Sequence, residues 1–202
     1  AKRIAACTAL IGTDPANAEA YRYRGWAHSS RHDYDLAIAD YGKAIELDPD
    51  SPKAYGARAI ALFGKGAVDE AILDYDKTLS IEPEQAPMLQ YRGLAHWMKG
   101  HPEQAIADLD ASLALDARNV EGLFLRGFMH ANLGNIDAAI ADYDRVLEIE
   151  PRHLGALKGR GILRFTRNDL DPALADLAAA LALAPGDAEA LGARGAVHAL
   201  AG

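Results

Sequence analysis

Apolar side chains recur along the chain every three or four residues, in blocks interrupted by short stretches rich in proline, glycine and acidic residues. The clearest stripe runs through Ile38, Ile72, Ile106, Ile140 and Leu174, each followed seven residues later by Ile45, Leu79, Leu113, Leu147 and Leu181. Seven residues is close to two helical turns, so each pair lies on one face and marks a buried helical stripe. Pro15, Pro49, Pro83, Pro151 and Pro185 follow such blocks, where a proline cannot continue the helix. Asp33-Tyr34, His101-Pro102 and Gly134-Asn135 mark turns between blocks, and Asp171-Pro172 reads as a cap followed by a first-turn proline. The pattern predicts about twelve helices, joined by short loops, and no strands.

The blocks repeat with a period of 34 residues. Asp35–Pro49, Asp69–Pro83 and Asp137–Pro151 are nearly the same sequence, and Glu103–Ala117 and Asp171–Pro185 complete the series. Two columns are small throughout. Gly25, Ala59, Gly93, Gly127, Gly161 and Gly195 form one, and Ala37, Ala71, Ala105, Ala139 and Ala173 the other. Small residues on both members of a helix pair let the axes approach closely, because interaxial distance is set by the side chains at the contact. A fixed period of this length means a stacked array whose units contact mainly their neighbours.

In the first full unit, Tyr21, Arg24, Gly25, His28, Ala37, Tyr41 and Pro49 occupy the signature positions, and through them the chain resembles the tetratricopeptide repeat (TPR) family. Arginine stands where leucine is usual, and histidine often stands where tyrosine is usual. The resemblance implies an all-α solenoid, a right-handed superhelix of antiparallel helix pairs. The units expected are 18–51, 52–85, 86–119, 120–153 and 154–187, flanked by a second-helix half repeat at 1–17 and a first-helix half repeat at 188–202, all in one array. It also implies a concave groove lined by the first helix of each pair. The groove positions so assigned are Arg22, Trp26, Gly56, Ile60, Gln90, Leu94, Phe124, Phe128, Lys158 and Ile162, with Phe63, Trp97 and Phe165 adding aromatic surface. The lysine and asparagine pattern of the family's carboxylate clamps is missing, so the groove expected is apolar and aromatic. The abundant alanine and the Arg-Gly variant resemble bacterial members.

Composition narrows the partners. Half of the residues are hydrophobic and a quarter charged, with a formal net charge of −8. Nucleic acid is an unsuitable partner, because phosphate binding needs clustered Lys and Arg. No segment is apolar enough over eighteen residues to insert in a membrane. The single cysteine, Cys7, excludes an internal disulfide and a Cys-based metal site. Ala1–Leu10 lack the apolar stretch and cleavage site of a signal peptide. The chain begins in mid-unit, as a trimmed or processed product would, which leaves cytoplasm and periplasm both open.

No catalytic, phosphate-binding or zinc motif is present, and the chain is expected to be neither an enzyme nor a cofactor carrier. His28, His96, His130 and His198 share one column, but equivalent residues of stacked helix pairs lie on the order of 10 Å apart, too far to share one zinc ion. Asp74/Asp76, Asp108/Asp110 and Asp142/Asp144 are spaced to point in different directions from their helices. The most unusual columns are charged. Arg24, Arg58, Arg92, Arg126, Arg160 and Arg194 are in phase, and so are Asp40, Asp74, Asp108, Asp142 and Asp176. They are read as a structural ladder of ion pairs, within or between units, with one end arginine left over. The last helix is expected to expose Leu191, Val197 and Leu200. The function expected is a scaffold that docks a protein or peptide segment in the groove. The alternatives are a structural element that self-associates through its uncapped ends, or a non-catalytic segment of a larger complex.

Overall fold

The computed structural model describes residues 2–201, and among them every regular element is helical. In chain order the helices are α1 (Lys2–Thr13), α2 (Ala18–Ser29), α3 (Tyr34–Leu47), α4 (Pro52–Lys65), α5 (Val68–Ile81), α6 (Ala86–Met98), α7 (Pro102–Leu115), α8 (Val120–Asn132), α9 (Ile136–Ile149), α10 (Leu154–Thr166), α11 (Leu170–Leu183) and α12 (Ala188–Ala201). The chain is an all-α TPR-type solenoid of helix pairs. Contacts divide it into two compact units, Ala1–Leu115 and Asp116–Gly202.

The helix ends follow from local chemistry. Asn17 and Asn119 accept the Ala20 and Gly122 amides at the starts of α2 and α8, and His153 does the same through Nδ1 for α10. Each cap occupies one of the backbone donors that a helix start leaves open. First helices end in a left-handed residue at one column: His32, Gly66, Gly100, Gly134 and Asn168, all with positive φ. Glycine adopts this conformation without a Cβ penalty.

Within each pair the small-residue column does what its size allows. A Cβ on Gly25 would sit 2.8 Å from the Tyr41 ring, one on Gly127 2.9 Å from the Tyr143 ring, and one on Gly161 2.9 Å from Leu177. The facing alanines, Ala37, Ala71, Ala105, Ala139 and Ala173, are fully buried. Tyr41 and Tyr143 are buried beneath the glycines, and desolvation pushes both phenols up to about 12.

The charged columns meet inside the pairs. Arg24, Arg58, Arg92, Arg126 and Arg160 each grip the aspartate sixteen residues later through Nε and Nη2, at 2.6–2.9 Å. The pairing is therefore inside each unit, first helix to second, and bidentate. Asp40, Asp74, Asp108, Asp142 and Asp176 are buried. Hydrogen bonds to these carboxylates raise the pKa of Arg24, Arg58, Arg92 and Arg160. Arg194 has no carboxylate partner among the described residues.

The third guanidinium nitrogen reaches backward. Arg92 Nη1 lies 2.6 Å from Asp76, and Arg160 Nη1 2.5 Å from Asp144, each on the second helix of the preceding pair. One arginine thus ties three helices. At Arg58 the corresponding position is Gly42, where a Cβ would sit 3.8 Å from Nη1 with nothing nearer. Gly42→Asp is expected to raise stability by about 1 kcal/mol, by removing a mid-helix glycine and adding a partly exposed ion pair. A higher urea midpoint is the readout.

Curvature follows from which helices touch. In Ala1–Leu115, α2 contacts α4 and α4 contacts α6, whereas α3, α5 and α7 do not contact one another. In Asp116–Gly202, α10 contacts both α8 and α12, whereas α9 and α11 do not touch. In each unit the first helices are the closer set, so their outer side is the concave one. In α12, Leu191 and Leu200 are 41% and 64% exposed, but Val197 is fully buried against the α10–α11 cluster, against expectation. It is on the opposite side of α12 from Leu191, the side that α11 covers.

Candidate partner-binding face

The face is built by residues one position beyond the small column. Gly25, Ala59 and Gly93 point at their second helices, so Trp26, Ile60 and Leu94 are turned about 100° round the axis, toward the concave side of Ala1–Leu115. Phe63 and Trp97 stand three residues further on, on the same stripe. Trp26 is half exposed, and Met98 beside Trp97 is 59% exposed. Ile60 and Phe63 are half-buried, packed on the Ala59–Ala71–Tyr75–Ala95 cluster, and Trp97 is half-buried. In Asp116–Gly202 the equivalent stripe carries Phe128, 44% exposed, with Ile162 and Phe165 half-buried on the α11–α12 core.

At its Trp26 end the face carries a hollow. Arg3, Cys7, Arg22, Tyr23 and Trp26 line an open, mainly apolar hollow of 440 Å³ between α1 and α2. The Arg3 guanidinium lies 4.2 Å over the Trp26 ring, and that of Arg22 4.5 Å over Tyr23. Stacking on the negative ring faces holds both cations in place without using their N–H groups; among the described residues Arg22 also makes a weak contact, 3.4 Å to Glu19. Two fixed guanidinium groups beside two aromatic rings can hold a carboxylate and an apolar side chain side by side. Arg3 and Tyr23 were not among the residues that the sequence pattern singled out. The available signal was Arg3 itself, which stands in the column that is alanine in every complete pair.

Other positions assigned to the groove are occupied by packing. Gly56 is buried, its Cβ direction meeting Met88 Sδ at 3.1 Å. The Gln90 amide donates to Ser112 Oγ at 3.0 Å. Phe124 is wedged against Tyr143 and His153, with ring centroids 5.8 and 4.8 Å away. Lys158 pairs with Asp187 and Glu189 at 3.1 and 2.8 Å. With Arg22, these residues form one column; Gly56 and Lys158 face the start of the next first helix, whereas Gln90 and Phe124 meet their own second helix.

His96 lies between Arg92 and Asp108, and burial lowers its pKa. No group of three or more metal-capable side chains converges among the described residues. No described helix is long and apolar enough to cross a membrane.

Family models of the tetratricopeptide repeat match residues 18–51 and 92–153. Among solved structures, YrrB, described as "a TPR protein with an unusual peptide-binding site", shares 26% identity at a TM-score of 0.80, over 94% of this chain and 97% of that one. MamA 41-end from Desulfovibrio magneticus RS-1 is 16% identical at a TM-score of 0.77, over 85% of this chain and 97% of that one. Pseudomonas aeruginosa pilF is 20% identical at a TM-score of 0.76, over 89% and 82%. No curated protein matches by sequence.

Proposed function

The chain is a tetratricopeptide-repeat protein, and from that premise we propose that it is a non-catalytic scaffold whose concave face in Ala1–Leu115 docks a peptide segment of a partner protein. The observation that carries the reading is Trp26, a large aromatic ring left half exposed on a first helix, with Arg3 stacked on it and the hollow beside it. Tryptophan and arginine are enriched among binding hot spots, and a ring that is already positioned loses little entropy on binding. YrrB, the similar structure described as a TPR protein with an unusual peptide-binding site, supports a peptide as the ligand class.

The chemistry of the hollow defines the segment. An apolar side chain would lie along Trp26 and Tyr23, and an adjacent Asp or Glu would meet Arg3 and Arg22. Peptides selected from a random library on the intact chain should therefore be enriched in an acidic residue next to an aromatic or aliphatic one. Trp26→Ala is expected to weaken such a peptide by roughly 2 kcal/mol, about thirtyfold, without loss of helical content. Unchanged affinity by titration calorimetry, or selected peptides with no acidic residue, would reject the site.

A further inference from the structure

The second helices α3 and α5 do not touch one another. Between them, on the side opposite the concave face, lies a cleft of 310 Å³ floored by α4 and lined by Ile38, Arg58, Leu62, Glu70, Leu73 and Asp74. The repeat supplies a standard of comparison for this cleft, and three columns depart from it together. Leu62 stands where the other first helices have His28, His96, His130, Arg164 and His198. Leu73 stands where the second helices of the other complete pairs have Ala39, Ala107, Ala141 and Ala175. Gly42 stands where α5, α7 and α9 have Asp76, Asp110 and Asp144. The glycine leaves a donor over. Arg92 and Arg160 give Nη1 to Asp76 and Asp144 at 2.6 and 2.5 Å, and Arg24 gives Nη1 to Thr8 Oγ1 at 3.2 Å. Arg58 holds Asp74 through Nε and Nη2, and its Nη1 faces Gly42 with no polar partner among the described residues.

We propose that this cleft is a docking site for a surface segment of a partner polypeptide in which an Asp or Glu adjoins a large aliphatic or aromatic side chain. The carboxylate takes the position that Asp76 and Asp144 hold in their own units. It completes a guanidinium already fixed by two bonds to Asp74, so little freedom is lost on binding. The apolar side chain covers Leu73, which is 68% exposed, and reaches the half-buried Ile38 and Leu62. Asp74 opposes the incoming acid little, because Arg58 neutralises it. Glu70 sets the polarity of docking. α4 and α5 are antiparallel, so Glu70, one turn before Asp74, stands by Leu62, one turn after Arg58. The acid therefore enters at the Gly42 end, away from Glu70. The site is on the other side of the Ala1–Leu115 unit from Trp26 and does not rest on the concave-face reading.

The probes are peptides selected from a random library on the Trp26→Ala chain and counter-selected on Trp26→Ala with Gly42→Asp, then labelled and followed by fluorescence anisotropy. The first substitution removes the ring of the concave face, so that the two sites are read separately. The peptides recovered are expected to carry the acidic–apolar pair and to bind the wild-type and Trp26→Ala chains equally. Gly42→Asp and Leu73→Ala should each weaken them about tenfold or more. The first fills the carboxylate position from within and repels a second acid; the other removes the exposed apolar wall. Each installs a residue that other units carry at that column, so both chains should keep their full helical content. Recovery of no peptide, recovery of peptides without the acidic–apolar pair, or binding indifferent to Leu73→Ala overturns the proposal. So does a concentration-dependent dimer by light scattering that Gly42→Asp abolishes, since a second copy of the chain would then be the occupant.

Discussion

Replacing Arg92 by alanine is expected to cost the Ala1–Leu115 unit about 3 kcal/mol, the low end of the range for breaking a buried ion pair from one side. The asymmetry of the pair sets the figure. Asp108 has 8% of its side chain exposed and loses both of its bonds from Arg92, so an uncompensated carboxylate is stranded away from water. Asp76, the other partner, is 52% exposed and is rehydrated at little cost. Asp108→Ala should cost less, because Arg92 keeps Asp76 and is itself 23% exposed. Arg92→Lys keeps the charge but not the two-pronged geometry, and should fall between wild type and alanine. Replacing both partners, Arg92→Met with Asp108→Leu, should recover most of the loss, since no charge is then left buried. Urea unfolding followed by circular dichroism ranks the four variants. Equal midpoints for Arg92→Ala and wild type would mean that the ladder contributes nothing to stability.

Gly127→Val is expected to destabilise Asp116–Gly202 by about 3 kcal/mol, the upper end for inserting volume into a packed contact. The new Cβ alone would lie 2.9 Å from Tyr143 Cε1 and 3.2 Å from Asp142 Cβ, and Tyr143 is only 3% exposed with no room to retreat. The strain would also disturb Asp142, the partner of Arg126, so the ion pair is loosened with the packing. The same column at Gly195, uncovered in α12, should tolerate alanine with a small gain. Opposite signs at Gly127 and Gly195 isolate the approach of the second helix as the cause, since helix propensity favours the larger residue at both sites. Thermal unfolding of the two variants gives the comparison directly.

The period of 34 residues made the helices, their pairing and the close-packed small columns legible in the sequence, because each rests on local spacing and residue size. The partners of the charged columns were not. Asp40 lies sixteen residues after Arg24 and eighteen before Arg58, and spacing alone cannot choose between two separations so nearly equal. The choice is made by the antiparallel turn, which brings the first helix alongside its own second helix. Of the groove assignments, Gly56, Gln90, Phe124 and Lys158 turn out to be engaged in packing or pairing inside the array, because period fixes which column a residue occupies but not what it meets. Val197 was misjudged for a related reason: one helix has two apolar sides, and only contact with α11 decides which is covered. Arg3 was passed over because α1 was read as an incomplete copy of the repeat, and a charged residue in a buried alanine column belongs to a different surface.

The peptide-docking role of the concave face is tested most directly by the emission of Trp26 itself. The chain contains two tryptophans, so Trp97→Phe leaves Trp26 as the sole indole without altering the hollow beside α1. Titration of this variant with a peptide selected on the intact chain should shift the emission to shorter wavelength and protect it from acrylamide quenching, saturating at the affinity that calorimetry gives. A peptide that binds the chain with full affinity while Trp26 keeps its unliganded emission and quenching would contradict the account and move the docking site off this face.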